Sequence, residues 1–312
     1  MKIGIDMMGG DFAPLEAIKG VEAYLKTSSP SLLCLIGDKS VLEKLLLEHG
    51  IDPTTLFIQH AASIIGMHEH PTKALKEKTD SSIAVGFGLL AANKIDAFLS
   101  AGNTGAMLVG THFSIKPLEG VIRPTVSTII PKVDGKTGIL LDVGLNADCK
   151  PEQLNQFALM GTIFAQQILG IENPTTGLIN VGEEEGKGNQ LAQATYPLLK
   201  ENSSIRFIGN IEGRDILQSK ADVMVCDGFT GNIILKMAES IYDIAKQQKI
   251  QNAYFDRFNF EDYGGTPILG VAKPVLIGHG ISGAKAFLNM LLLAEKMIEK
   301  DVMNTLQKAL PA

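Results

Sequence analysis

The chain has 312 residues, 45% hydrophobic and 20% charged, with 32 glycines and a formal net charge of -6. That length can bury one large core or two intimate lobes, and an acidic balance without a concentrated basic stripe excludes a nucleic-acid backbone as the main partner. Cys34, Cys149 and Cys226 form neither a zinc spacing nor a redox pair, and no apolar run approaches the roughly 20 residues of a membrane span. A reduced, cytoplasmic setting without integral membrane insertion is the expectation.

Lys2–Ile5 reads as the first strand, and Asp6-Met7-Met8-Gly9-Gly10-Asp11 as its exit loop before a helix from Pro14 through Leu25. No GxGxxG follows the strand, so a dinucleotide site loses its main support. Asp6 and Asp11, with Gly9 and Gly10, either shape a pocket floor or serve as loop hydrogen-bond acceptors; two acids without a third ligand make no metal site. Ser31–Ile36 and Leu56–His60 read as strands around the helix Val41–His49, and His68-Glu69-His70, lacking helical zinc spacing, as a loop or pocket rim. Ser81–Ala92 reads as a helix whose small residues let it lie close to a sheet.

That helix leads to Ala97–Gly105 (AFLSAGNTG), an apolar strand that runs through a short polar loop into a helix continued by Ala106 and Met107. The carboxyl end of a strand in an open α/β sheet is where ligands bind. Gly102, Asn103, Thr104 and Gly105 leave backbone N–H groups unobstructed at a helix start, as an anion cradle or as a plain cap. Arg123, in Gly120–Pro124, is either a guanidinium fork for an anion or a salt-bridged loop residue.

Val126–Pro131 and Gly138–Val143 read as strands joined at Asp134-Gly135, and Asp142 and Asn146 stand at the exit before the helix Pro151–Leu169. The strand Gly177–Val181 opens into Gly182–Asn189 (GEEEGKGN), which is too short for a P-loop and has Gly188 where Ser or Thr would meet Mg²⁺. Lys187, flanked by glycines, can swing an ammonium to an anion or a developing oxyanion, with Asn189 closing the loop. Ile205–Ile208 and Ala221–Cys226 are the next strands. Asp227–Asn232 (DGFTGN) then repeats the earlier theme, with Thr230, Gly231 and Asn232 ahead of a helix read from Ile233 and Lys236 in its first turn. Tyr254, Phe255, Phe258 and Phe260 crowd a short polar segment, as a partner or lipid-facing surface or as a buried helical hairpin. Val275–Gly278 is the last strand, His279 stands at its carboxyl end, and a long helix runs from Ala284 toward Lys308.

No serine sits at the centre of a GxSxG elbow, and no cysteine or serine is visibly activated. Loops dominated by backbone donors suit chemistry that orients an anion and stabilises an oxyanion, such as acyl or phosphoryl transfer. In order along the chain, DMMGGD with Ala13-Pro14, SAGNTGA, GVIRP, LDVGLNAD, NVGEEEGKGN, GNIEGRD, DGFTGN, GGTPILG and His279-Gly280 resemble the phosphate acyltransferase family of bacterial phospholipid synthesis. The resemblance spans essentially the whole chain. Leu145, Thr266, Ile281 and Gly283 depart from the family pattern, the last leaving His279 less supported than Asn103, Lys187 and Asn232.

The resemblance implies an α/β protein, a three-layer α/β/α Rossmann-like open sheet similar to phosphotransacetylase and isocitrate-dehydrogenase-like folds. It implies one domain over 1–312, with a projecting helical segment at about 236–263. The implied reaction takes a long-chain acyl group from acyl carrier protein to inorganic phosphate, giving acyl phosphate for a membrane glycerol-3-phosphate acyltransferase, with no cofactor and no metal. A homodimer is implied, cytoplasmic and peripherally held at the inner face of the cell membrane by the aromatic segment. Phosphate is expected to attack the thioester directly, held by backbone donors near Asn103-Thr104 and Thr230-Gly231 with Lys187 and Arg123. A coenzyme A-dependent phosphotransacetylase, a dehydrogenase of related fold, and a noncatalytic carrier-protein or lipid-binding module are the alternatives.

Overall fold

The computed structural model describes residues 1–27 and 31–310. In chain order the elements are β1 (Lys2–Asp6), α1 (Leu15–Leu25), β2 (Leu32–Gly37), α2 (Lys39–Glu48), β3 (Phe57–His60), α3 (Pro71–Glu77), α4 (Ser82–Ala91), β4 (Ala97–Ser100) and α5 (Thr104–Ser114). There follow β5 (Thr125–Pro131), β6 (Thr137–Leu141), α6 (Pro151–Phe164), β7 (Thr175–Ile179), α7 (Gln190–Glu201), β8 (Arg206–Ile211), β9 (Val223–Val225) and α8 (Gly228–Gln247). The chain closes with α9 (Ala253–Asp256), β10 (Thr266–Leu269), β11 (Val275–Ile277), α10 (Ala284–Glu299) and α11 (Val302–Ala309). Two compact units share these elements, Met1–Pro117 with Glu261–Glu299, and Leu118–Phe260 with Lys300–Ala312.

In the first unit the strands lie in the order β3-β2-β1-β4-β11-β10, parallel except for β10 against β11. The strands read as unbroken apolar runs because both faces are covered: every residue of β4 is buried, as are Ile3 to Asp6 of β1. The chain winds outward from β1 to β3 and returns to place β4 on the other side of β1, so a topological switch point lies between β1 and β4. The small residues of α4 have the expected use, since a Cβ on Gly86 would overlap the ring of Phe98.

In the second unit β5 pairs antiparallel with β6, and β6, β9, β7 and β8 continue in parallel. Its core includes a charged group, Lys132, which is 2% exposed and donates to the carbonyls of Ile216 and Ala221, both at 2.9 Å, and to Met224 Sδ at 3.4 Å. Burial brings its ammonium pKa down to about 8, against the pull of Asp222 and Asp134.

The structure differs from the sequence reading in five places. The helix expected from Ile233 begins at Gly228, because Asp227 is its N-cap and Thr230-Gly231-Asn232 fall inside its first turns. The single helix expected from Ala284 to Lys308 is two, divided at Asp301, whose φ is +50°. GGTPILG holds a strand, β10, and α3 follows the histidine loop directly with Pro71 in its first turn. The aromatic quartet is not an open surface: Phe258 is 5% exposed, and Tyr254, Phe255 and Phe260 are half-buried. Tyr254 packs against Phe255 and edge-on against Phe258. Arg257 ties the segment to the β5–β6 hairpin by donating to the Lys132 and Lys136 carbonyls. α8 carries a stripe of outward apolar residues, Phe229, Ile233, Met237 and Ile244, 53–65% exposed.

Candidate active site

In the first unit the exits of β1, β4 and β11 form one constellation. Asp6, fully buried at the end of β1, accepts from Met8 N at 3.0 Å and from Ser100 Oγ at 2.6 Å, and that hydroxyl accepts from Gly102 N at 2.9 Å. Burial raises the Asp6 carboxyl above its ordinary value, opposed by these donors. Gly9 is required here, because a Cβ would overlap Asp6 Oδ2 and lie 2.7 Å from Gly102 N. The loop continues through Gly10, at φ +106°, and Asp11 N donates to the Gly280 carbonyl at 2.7 Å, one residue beyond His279.

Asn103 is 4% exposed and its side chain is fully engaged. Its Oδ1 accepts from Ala106 N at 2.9 Å as the N-cap of α5, and its Nδ2 faces the carbonyls of Gly66, Met67 and Glu69 at 3.0–3.2 Å. The amide therefore straps the 66–69 loop to the helix start. It leaves the helix cap electrically neutral, with Thr104 exposed and Gly105 half-buried at the first two helical positions.

In the second unit Asp142 plays the part of Asp6. Fully buried at the exit of β6, it accepts from Val126 N at 3.1 Å and Leu145 N at 3.2 Å on one oxygen, and from Asn146 N at 2.6 Å and Asn146 Nδ2 at 2.8 Å on the other. Burial raises this carboxyl too. Asn146 also donates to the Pro124 carbonyl at 2.9 Å, so it is built into the loop. The start of α8 rests on this turn: Gly228 N donates to the Asn146 carbonyl at 2.7 Å, and a Cβ on Gly231 would overlap the Asp142 carbonyl oxygen. Asn232, exposed on α8, lies beside Gly144.

Asp227 spends both carboxylate oxygens on Thr230, accepting from its N at 2.8 Å and its Oγ1 at 2.9 Å. A fixed negative charge thus occupies the positive end of α8, which disfavours a second anion there. The start of α7 carries the neutral Asn189, which accepts from Ala192 N at 2.8 Å. Lys187, two residues before it, is held by its backbone: Asn180 Nδ2 donates to its carbonyl at 3.0 Å, while its half-exposed ammonium lies 4.0 Å from Glu184. Lys236 is paired with Glu239 at 2.9 Å, and Arg123 is exposed. Neither thiol beside this turn, the half-buried Cys149 or the buried Cys226, is a ready nucleophile. Burial and neighbouring carboxylates push Cys149 up to about 12 and Cys226 well above its ordinary value.

A family model described as Fatty acid synthesis protein matches residues 1–305. The phosphate acyltransferase of Dictyoglomus turgidum is 42% identical over 322 residues, covering 97% of this chain and 95% of the relative, and that of Thermoanaerobacterium thermosaccharolyticum is 42% identical over 327 residues, covering 99% and 96%. The chain belongs to the phosphate acyltransferase family. It is an enzyme, an acyltransferase that uses phosphate. In fold it matches solved structures of the EutD phosphotransacetylase from Staphylococcus aureus (TM-score 0.66, 16% identity, 95% of this chain and 94% of that one) and a phosphotransacetylase from Streptococcus pyogenes (TM-score 0.66, 19% identity, 96% and 94%). The phosphotransacetylase-like α/β architecture expected from the motifs is the one present.

Within this chain the structure gathers the named residues by unit. Asp6, Gly9, Gly10, Asp11, Gly102, Asn103, Thr104, Gly105 and His279 lie at strand exits of the first, and Arg123, Asn146, Lys187, Asn189, Asp227, Thr230, Gly231, Asn232 and Lys236 in the second. Sequence reasoning underweighted Ser100 and Asp142, the hubs that shape the two loop systems. The signal was available: each closes an apolar strand and is followed within two residues by glycine. Among the described residues no group of three His, Cys, Asp or Glu side chains is placed to hold a metal ion, and no helix is long and apolar enough to cross a membrane.

Proposed function

We propose that this acyltransferase moves a long-chain acyl group from acyl carrier protein to inorganic phosphate. A phosphate oxygen attacks the thioester carbonyl carbon, the C–S bond breaks as the C–O bond forms, and the carrier thiolate leaves with a proton as free thiol. The single observation that carries the phosphate assignment is the start of α5. Its cap is the uncharged Asn103, and among the described residues the N–H groups of Thr104 and Gly105 have no partner. Unpaired donors at the positive end of an 11-residue helix suit an anion.

Within the second unit Lys187 offers a mobile ammonium, Arg123 a second cation and Asn232 a polar side chain for an anion or for the oxyanion that develops on a thioester. Asn103, Asn146, Asn189 and Asp227 act by holding loops rather than by touching the reacting atoms, since their side chains are committed to backbone or to Thr230. His279, at the exit of β11, is the imidazole assigned to carry a proton to the departing thiolate. The raised thiol pKa values and the engaged Ser100 hydroxyl favour direct attack over an acyl-enzyme. The same reading makes the protein a homodimer that works at the inner face of the cell membrane and passes acyl phosphate to a membrane glycerol-3-phosphate acyltransferase. The α8 stripe of Phe229, Ile233, Met237 and Ile244 takes the place of the aromatic quartet as the surface for peripheral contact.

Incubation with acyl-carrier-protein thioester and phosphate, with trapping of acyl phosphate by hydroxylamine, tests the reaction. Product from acyl carrier protein is the expected result. Product from acyl-coenzyme A alone would assign the coenzyme A reading, no product from either donor would leave a binding module, and an acyl-enzyme trapped without phosphate would end the direct route.

A further inference from the structure

A cavity of about 410 Å³ lies inside the second unit, among α6, β7, α7, β9 and α8, within the range of about 300–1,000 Å³ usual for small-molecule sites. Its closed end is made by Leu154, Leu178 and Cys226, each at most 3% exposed. Its rim carries Val181, 83% exposed, and Met237, 63% exposed, so the cavity opens outward past apolar side chains. Four polar side chains also line it, Asn180, Asn189, Asp227 and Thr230.

Those four have little left to offer a ligand. Asn180 donates to the Lys187 carbonyl and accepts from Val181 N, Asn189 accepts from Ala192 N, and Asp227 and Thr230 bond to each other. A pocket whose polar groups are mostly paired and whose remaining wall is Leu, Ile, Val and Met with Ala192, Gly213 and Cys226 selects a ligand that asks for few hydrogen bonds. An alkyl chain meets that condition. A nucleotide or sugar does not, because its polar groups would lose water without gaining partners.

We infer that this cavity is the seat of the substrate's hydrocarbon chain, with Ile234 and Leu191 on its wall setting the chain length accepted; the assignment rests on the acyl-transfer reading. Its polar margin, Asp227 to Thr230 and Asn180 to Asn189, belongs to the same first turns of α8 and the same β7–α7 loop that carry Asn232 and Lys187, so a chain seated there has its carbonyl end toward them. Each methylene buried in such a wall is worth about fourfold in affinity, which makes chain length a direct readout.

The test uses two substitutions at Ile234, which is half-buried on the second turn of α8. Ile234→Trp fills the cavity and Ile234→Ala enlarges it. Acyl phosphate formation is measured with acyl-carrier-protein donors of about four to about eighteen carbons, alongside the binding of cis-parinaric acid by its fluorescence, at about fourfold per methylene. The expected result is that I234W loses tenfold or more with the longest chains while keeping four-carbon transfer, that I234A moves its preference to longer chains, and that parinarate affinity falls in the first by a similar factor. Chain profiles and parinarate affinity unchanged in both variants overturn the assignment while leaving acyl transfer standing. Should I234W lose every donor, the I234A profile decides. Parinarate binding that responds to both variants, in a protein that makes no acyl phosphate, keeps the hydrocarbon site and overturns the transfer reading.

Discussion

Replacing Asn103 by Asp separates the two things this residue does. The aspartate keeps the cap on Ala106 N but turns an oxygen toward the carbonyls of Gly66, Met67 and Glu69, now 3.0–3.2 Å from a donor. Loss of that donor group costs on the order of 2–4 kcal/mol, counting the unpaired carbonyls. The new charge also stands at the helix start where phosphate is assigned. At a separation of about 5 Å and an effective dielectric near 20, two unit charges repel by roughly 3 kcal/mol, and partial exposure reduces this to about half. Asn103→Asp is therefore expected to raise the KM for phosphate by on the order of tenfold, with the KM for the acyl donor changed much less. Asn103→Ser is the control: it retains a capping oxygen, loses the loop strap and adds no charge. Initial rates over a phosphate titration, with urea unfolding to compare stabilities, give the readout. An equal phosphate KM in the two variants would refute the placement of phosphate at α5.

Lys187→Ala is expected to raise the phosphate KM by on the order of tenfold, and unchanged phosphate dependence would remove Lys187 from the site. Gly231→Ala drives a Cβ into the Asp142 carbonyl oxygen, a backbone atom that cannot swing aside, and should cost about 1–3 kcal/mol. Gly213→Ala, whose Cβ meets nothing within 4 Å, should unfold within a degree or two of the parent, and equal thermal shifts would contradict the packing. Lys132 gives a pH signature. Its folded pKa of about 8 lies below the ordinary 10.5, so the unfolded chain holds the extra proton between those values and stability contributed by this group rises with pH across that window, by about 3 kcal/mol. Lys132→Met lacks that rise, and parallel stability slopes for parent and variant between pH 7.5 and 10.5 would show that the ammonium is not held as described.

Most strands and their exits were legible because a parallel sheet covered on both faces needs unbroken apolar runs, and β1, β2, β4, β6 and β11 each end at or just before an acid, a serine or a glycine. What the residue string concealed was how the polar loop side chains are spent. Asn103, Asn146 and Asp227 read as groups offered to a ligand, yet each has its acceptors and donors taken up by atoms near in sequence or by a neighbouring loop. Residue type specifies what a side chain can bond, and only the tertiary arrangement specifies what it does bond. The start of α8 was placed too late for a related reason. Gly228 and Gly231 are poor helix formers, but the close approach of the Asn146 and Asp142 carbonyls leaves room for nothing larger. Pro267 hid β10 in the same way, since it pairs with Leu276 in a strand that joins the sheet antiparallel.

The charges of the helix caps sort the loops by chemistry. α5 and α7 begin at Asn103 and Asn189, which satisfy one N–H each and leave the positive end of the helix uncompensated. α8 begins at Asp227, whose carboxylate cancels that field and whose remaining capacity is consumed by Thr230. Anions are thereby favoured at the first two starts and discouraged at the third, whose flank is the apolar cavity bounded by Ile234 and Met237. Two loops with nearly the same sequence grammar, SAGNTG and DGFTGN, thus differ in chemistry: one presents donors at an uncompensated helix start, and the other closes off polarity beside a hydrocarbon wall. The difference is one atom in the cap, an amide nitrogen in Asn103 against a carboxylate oxygen in Asp227.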